Sequence, residues 1–246
     1  VDQFNRMSIE IEAMQVERMR MNRGAVVKEI SRACGRLFET PCISTAQGKC
    51  RMQMSERPVF RVQTGCYQHV CGGGQLCGDS YACFNDGSGR QVALISDGMG
   101  SGGRAAVDGA MASGIFSQLV KAGIGFDTAL KIVNSALVVK SGDESLATID
   151  VAVLDLFSGC VELRKAGAPI TILRQGGQAK RIDAPSLPIG ILNDARFAKM
   201  DAVLGDGDLV VLMSDGALAA GDDWLCEVVE QWQGLSPQDL AEELVA

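Results

Sequence analysis

With 246 residues, 47% of them hydrophobic and 22% charged, the chain has the make-up of a globular protein able to bury a sizeable core. Its formal net charge of −7 sets nucleic acid aside as the main partner, because no surplus of Lys and Arg exists to displace counterions from phosphates. The charge-free run from Gly109 to Val120 is too short for a membrane span, which needs about 20 apolar residues.

The chain opens on Val with no signal peptide and reads as an excised fragment. Phe4, Ile11, Arg18 and Ala25 fall at one heptad position and Met7, Met14 and Met21 at the other, which predicts a helix with a short a/d seam. Gly24 is a plausible bend, after which Val27, Ile30, Cys34 and Leu37 carry an amphipathic helix to Thr40-Pro41. Residues 1–48 are therefore expected to be a helical regulatory or linker segment, and residues 49–246 the main domain. Self-association through the first helices is one outcome of such a seam; packing on its own domain is the other.

From Lys49 the period changes to two: Met52 and Met54, then Phe60, Val62 and Thr64, predict strands. Ser80 to Asn85 and Gln91 to Ile95 form a hairpin through Asp86-Gly87. A glycine-rich loop, Ser96 to Gly103, leads to helices over 104–122 and 127–140. Strands resume at 148–155, 160–166, 170–174 and 180–182. A further hairpin is expected to join 197–203 with 209–213 through Gly205-Asp206-Gly207-Asp208, before helices over 223–232 and from Pro237 onward. Hairpin-linked strands with helices grouped in the middle and at the ends predict an α+β fold, antiparallel sheets covered by helices.

The nine cysteines are odd in number and scattered, which suits a reducing cytoplasm better than a disulfide scaffold. Cys66, Cys71, Cys77 and Cys83 gather around His69, but no C-x-x-C pair marks a zinc site. Buried thiols on the strand face shared by Asp79 and Tyr81 are the simpler account.

Chemistry concentrates in two matching strand ends, Ala93-Leu94-Ile95-Ser96-Asp97-Gly98 and Val211-Leu212-Met213-Ser214-Asp215-Gly216. An Asp there leaves a buried strand and points a carboxylate into the mouth of the sheet, and the Gly lets the backbone turn tightly. Gly78-Asp79-Ser80 opens the first hairpin in a similar way. Asp-Gly pairs also mark ordinary turns. Three converging carboxylates without Lys or Arg would repel one another, and a pair of oxygen-preferring divalent cations would relieve that repulsion. Gly98-Met99-Gly100-Ser101-Gly102-Gly103 also matches a dinucleotide-binding loop. That reading fares worse, since Asp97 would set its charge where a pyrophosphate must lie, and no acidic residue ends a second parallel strand about 20 positions on.

Gly78-Asp79-Ser80, Ser96-Asp97-Gly98-Met99-Gly100 with Arg104-Ala105, Leu187-Pro188-Ile189-Gly190 and Met213-Ser214-Asp215-Gly216 together resemble the PPM family of metal-dependent protein serine/threonine phosphatases. Within it the chain is most similar to the stage II sporulation protein E branch, over about Cys71 to Trp232. The resemblance implies two antiparallel sheets packed as a sandwich around a binuclear manganese or magnesium site. Asp97 would bridge both metals, the Gly98 carbonyl would bind one, Asp215 the other, and Asp79 would complete the set partly through water. Arg104 would contact the substrate phosphate or pack over the loop.

The implied activity is dephosphorylation of phosphoserine on an anti-anti-sigma-factor protein in sporulation. The implied setting is a cytoplasmic domain whose parent is membrane-anchored. A general-stress-pathway phosphatase of the same family, or a catalytically impaired regulatory module, are the alternatives. Two departures stand out. Met99 replaces the His that many members carry after Asp-Gly, and the single histidine, His69, lies outside the motifs. The chain also ends at Ala246 before the family's Asp-Asp-Met-Thr type motif, so the last strand is expected to be missing, with at most one cation held firmly and little activity.

Overall fold

The computed structural model describes residues 5–14, 22–46, 48–70, 76–100, 102–140, 145–192, 195–219, 221–234 and 236–245. The chain divides into two compact units, Val1–Val59 and Phe60–Ala246, so the division falls after Val59 instead of after residue 48.

In the first unit, β1 (Ser8–Met14), α1 (Arg23–Cys34), β2 (Cys42–Ala46) and β3 (Lys49–Ser55) build an antiparallel sheet of order β1-β3-β2. The helix expected over residues 8–14 is thus a strand, and no helical seam exists there. Ile9, Ile11 and Ala13 alternate with Glu10 and Glu12, and this period of two wins over the heptad spacing because β3 supplies a ladder partner. Arg51 of β3 meets both Glu10 and Glu12 across the ladder. Phe4, Arg18 and Met21 lie outside the described residues. Asn22 caps α1, its Oδ1 accepting from Ala25 N at 3.3 Å, so Gly24 sits within the first turn and is no bend. Gly35 ends the helix in the left-handed conformation (φ 64°), earlier than Thr40-Pro41.

The second unit begins with an extended strap, residues 60–70, where a strand over Phe60 to Thr64 was expected. It finds side-chain partners instead of a ladder. Gln238 accepts from Cys66 N and donates to Cys66 O, both at 3.0 Å. Gln68 Nε2 donates to Asp79 O at 2.8 Å. Then come β4 (Asp79–Asn85), β5 (Arg90–Asp97), α2 (Gly102–Lys121), α3 (Phe126–Lys140), β6 (Ile149–Asp155) and β7 (Cys160–Ala166). The remainder is β8 (Thr171–Gln175), β9 (Gln178–Ile182), β10 (Ala198–Val203), β11 (Leu209–Val211), a 3-10 turn (Asp215–Leu218), α4 (Asp223–Gln231) and α5 (Pro237–Glu243).

These strands form a five-stranded sheet, β10-β7-β6-β5-β4, and a three-stranded sheet, β11-β8-β9, with antiparallel pairings throughout. Side-chain alternation sorts the layers. Val92, Leu94, Val151 and Val153 face Phe116, Val133 and Leu137 of α2 and α3. The opposite face of the large sheet, with Ala152, Val161 and Leu163, meets Leu173, Ile182 and Val210 of the small one. Ile172 on the outer face of the small sheet packs with Leu225 and Val229 of α4 and Leu240 of α5. The expected α+β sandwich flanked by helices is what forms. No helix among the described residues is long and apolar enough to cross a membrane.

One expected hairpin is absent: β10 pairs with β7, and β11 with β8, in different sheets. The glycine-rich turn between them carries the chain across the sandwich. Leu204 N donates to Gly159 O at 2.8 Å, while Asp208 accepts from Gly205 N (2.7 Å) and from Gly176 N in the β8–β9 turn (2.8 Å). These bonds hold the turn to both sheets.

The β4–β5 turn centres on Asp86, which accepts from Ser88 N (2.8 Å), Ser88 Oγ (2.8 Å), Arg90 N (3.1 Å) and Arg90 Nε (2.7 Å). Burial pushes this carboxyl up, but the bonds from Ser88 and Arg90 outweigh burial and hold it below its ordinary value of 3.8. A depressed carboxyl stabilises the fold above its unfolded value and loses that contribution as pH falls through the folded one. Asp86→Ala is therefore expected to lower the unfolding free energy by about 1–3 kcal/mol at neutral pH. Urea titrations should show the gap to the parent narrowing below pH 3.8. A gap unchanged between pH 7 and pH 3 would contradict the assignment.

Candidate metal centre

Asp79 begins β4 and Asp97 ends β5, and the register sets them directly opposite one another. Because Val92 and Leu94 face the helices, Asp97 lies on the other face, toward the space between the sheets. Asp215 arrives from the other sheet, opening the 3-10 turn that follows β11. The three carboxylates named from the sequence are thus brought together. Asp97 is pushed up to about 7, by burial first and then by the charge and hydrogen bonding of Asp79 and of Asp215. The described ion pairs use other carboxylates, such as Asp108 with Lys140 and Asp150 with Lys165.

Asp79 and Asp97 are each held by their neighbours. Ser214 Oγ donates to Asp79 Oδ2 at 2.8 Å, so the hydroxyl of one Ser-Asp-Gly triplet steadies a carboxylate from the opposite sheet. Thr148 N donates to Asp97 O (2.7 Å), Asp97 N to Thr148 Oγ1 (3.3 Å), and Ser96 Oγ to Thr148 O (2.9 Å).

Gly98 and Gly78 shape the floor. Gly98 N donates to Gly78 O at 3.2 Å. A Cβ on Gly78 would stand 3.2 Å from both Asp97 Oδ1 and Gly98 O, so a carboxylate oxygen and a carbonyl oxygen converge over a position only glycine leaves open. A Cβ on Gly98 would fall 1.9 Å from Ala105 O, and one on Gly109 would fall 2.3 Å from Gly78 O. Helix α2 therefore lies backbone to backbone against the strand ends that carry Asp79 and Asp97.

Oxygen donors alone, three of them anionic, suit a hard divalent cation such as Mg2+ or Mn2+. Among the described residues no three His, Cys, Asp or Glu side chains already form a metal-holding group. The mutual influence of the carboxylates shows them to be neighbours. The residues present fit the cation.

Other candidates fare differently. Arg104 is exposed on the first turn of α2 and forms no ion pair with the three carboxylates. Met99 is 47% exposed and supplies no acid beside Gly98. Cys66 Sγ and Cys83 Sγ lie 3.9 Å apart as free thiols, and Cys83 is pushed up to about 12 by burial and by Cys66. As a residue Cys83 is exposed instead of buried, because β4 is the edge strand of its sheet. Cys71 lies outside the described residues. Thr148, Ser214 and Gly109 carry roles that motif reading did not assign. A glycine in mid-helix was the available signal for the last of these.

Gly109 and Gly114 of α2 make a controlled pair, since nothing lies within 4 Å of a Cβ on Gly114. Gly114→Ala is expected to stabilise the protein by about 0.5–1 kcal/mol through helix propensity. Gly109→Ala should destabilise it by about 1–3 kcal/mol, because the added methyl forces α2 off the site. Thermal unfolding of both variants checks this, and equal shifts of the same sign would refute the close-packed contact.

A family model described as Stage II sporulation protein E (SpoIIE) matches residues 87–246. Stage II sporulation protein E of Bacillus subtilis (strain 168) is 31% identical over 192 residues, which is 76% of this chain and 23% of that protein. The Priestia megaterium protein of the same name is 29% identical over 207 residues, 82% of this chain and 35% of that protein. The chain thus spans well under half the length of either relative. The solved PP2C phosphatase domain of SpoIIE from Bacillus subtilis with a fragment of its regulatory domain matches with a TM-score of 0.78 and 25% identity, covering 99% of this chain and 74% of that one. The phosphatase domain of the same protein, in a crystal form without domain swapping, gives 0.57 and 29%, covering 76% of this chain and 84% of that one. RsbX in complex with magnesium shares the fold at 18% identity and a TM-score of 0.59, over 72% of this chain and 83% of that one. With a family model spanning most of the second unit and PP2C phosphatase domains sharing its layers, the chain belongs to the stage II sporulation protein E family.

Proposed function

We propose that the Phe60–Ala246 unit hydrolyses phosphoserine on a protein, using divalent cations, manganese or magnesium, held by Asp79, Asp97, Asp215 and the Gly98 carbonyl. The observation that carries this reading is the meeting of three carboxylates from two sheets above a glycine floor. When bound, the cations would supply positive charge for the phosphoryl oxygens and acidify an attacking water. Asp97, between the other two carboxylates, is the residue suited to bridge. Ser214 holds Asp79 in one orientation, and Thr148 fixes the Asp97 backbone. No side-chain acid replaces Met99, so the leaving seryl oxygen takes its proton from water, which favours modest turnover.

Membership of the family supports a phosphorylated anti-anti-sigma-factor protein as substrate and a role in sporulation. The Val1–Val59 unit contributes none of the site residues and is read as regulatory. Supporting this, the relative solved with a regulatory fragment covers 99% of the chain and the phosphatase domain alone 76%. A metal-poor regulatory module is the second reading, favoured by the absence of a closed ligand group among the described residues.

Phosphate release from a phosphoserine protein in excess manganese separates the two. Asp97→Asn is expected to abolish it with melting temperature preserved, whereas Ser214→Ala, which only orients Asp79, should cost about 10–100-fold. Asp97→Asn retaining activity within a few-fold of the parent sinks the bridging role. A parent without activity at any manganese concentration favours the regulatory module.

A further inference from the structure

Within the apolar packing between the two sheets lies a buried polar trio. Asp150, Lys165 and Thr171 are each no more than 1% exposed. Lys165 Nζ donates to Asp150 Oδ2 and to Thr171 Oγ1 (2.6 Å), and Thr171 Oγ1 donates to Asp150 Oδ2 (2.7 Å). Asp150 and Lys165 are register partners on β6 and β7 of the large sheet, while Thr171 begins β8 of the small one. The trio therefore joins the two sheets through their shared interior, where Ala152, Leu163 and Leu173 otherwise meet.

Its position along the strands matters. Asp150 is the register partner of Ile95, two residues before Asp97, and the same register leads to Thr148, whose N–H binds Asp97 O. On the small sheet, Ile172 pairs with Val211, the last residue of β11 before the segment that delivers Asp215. The trio thus sits at the end of the sandwich where Asp97 leaves one sheet and Asp215 the other. Asp79 and Asp97 share a sheet, so their spacing is fixed by a ladder. No ladder fixes Asp215 against them.

We infer that the Asp150–Lys165–Thr171 trio is a positioning device that sets one sheet against the other so that Asp215 faces Asp97. Apolar side chains of similar volume would fill the same space at no loss of stability, and often with a gain. A buried ion pair is directional where apolar packing is not, and it resists the sliding that would separate the carboxylates. The inference rests on the metal reading above, and its test keeps the two apart.

Manganese chloride is titrated calorimetrically into the chain and its variants, with melting temperatures recorded alongside. Replacing the pair together, Asp150→Leu with Lys165→Met, is expected to keep or raise the melting temperature yet weaken manganese binding about tenfold or more. Thr171→Val should weaken binding in the same direction and Thr171→Ser should restore it, a comparison that stands even if the paired replacement fails to fold. In an Asp215→Asn background these replacements should cause no additional loss, because the ligand they place is gone. Parent-like affinity in the paired replacement and in Thr171→Val, or equal losses with and without Asp215, overturns the positioning role alone. A parent that binds no manganese overturns the metal reading and this inference with it.

Discussion

Repulsion among Asp79, Asp97 and Asp215 is the constraint around which the second unit is arranged. Like charges directly opposite in an antiparallel ladder destabilise it, yet the register sets Asp79 against Asp97 and the second sheet adds Asp215. The Asp79 carboxylate and the strand end that carries Asp97 are tied down by groups that are not basic. Ser214 binds Asp79, and Thr148 pairs with the backbone of Asp97. A neutral donor orients Asp79 without neutralising it. A lysine in the same place would make a more comfortable core and a poorer metal site.

Close approach of backbone is the second condition. Carbonyl oxygens serve as ligands only if nothing covers them, and a helix can rest on strand ends only if neither side carries a Cβ. Gly78, Gly98 and Gly109 meet both demands where α2 crosses the ends of β4 and β5. The helix is anchored on its far side by Phe116 and Val120 against the large sheet, with Val133 and Leu137 of α3 beside it. Movement of α2 would therefore reach the Gly98 carbonyl directly, since no side chain lies between them to absorb it.

The two interior layers divide these tasks. Under α2 and α3 a large apolar cluster gives cohesion, with Asp108, Ser113, Ser117 and Asn134 also buried on the two helices. Between the sheets the apolar layer is interrupted by Asp150, Lys165 and Thr171, near the end where the carboxylates emerge.

Much of this was legible in the chain itself. Val92 and Leu94 alternating with Ala93 and Ile95, and the apolar spacing of α2 and α3, are local patterns that identify strand and helix without reference to a partner. Asp-Gly at the ends of apolar strands marked Asp97 and Asp215, and Gly78-Asp79 at the start of the hairpin marked the third, for the same reason: the pattern lies in adjacent residues. Heptad spacing misled at Ser8–Met14, because a period of two was also present and β3 supplied the ladder that chose between them. Phe60 to Thr64 alternates like a strand but joins no ladder, and β10 and β11 look like a hairpin but part into different sheets. Strand pairing is a contest among distant partners, settled by which faces bury together, and no window of sequence contains that contest. The amino-acid order determined which residues carry the charge and where the backbone must come close. Only tertiary packing decided that Ser214 meets Asp79 and that Asp215 meets Asp97, because those contacts join two sheets whose separation is set by everything packed between them.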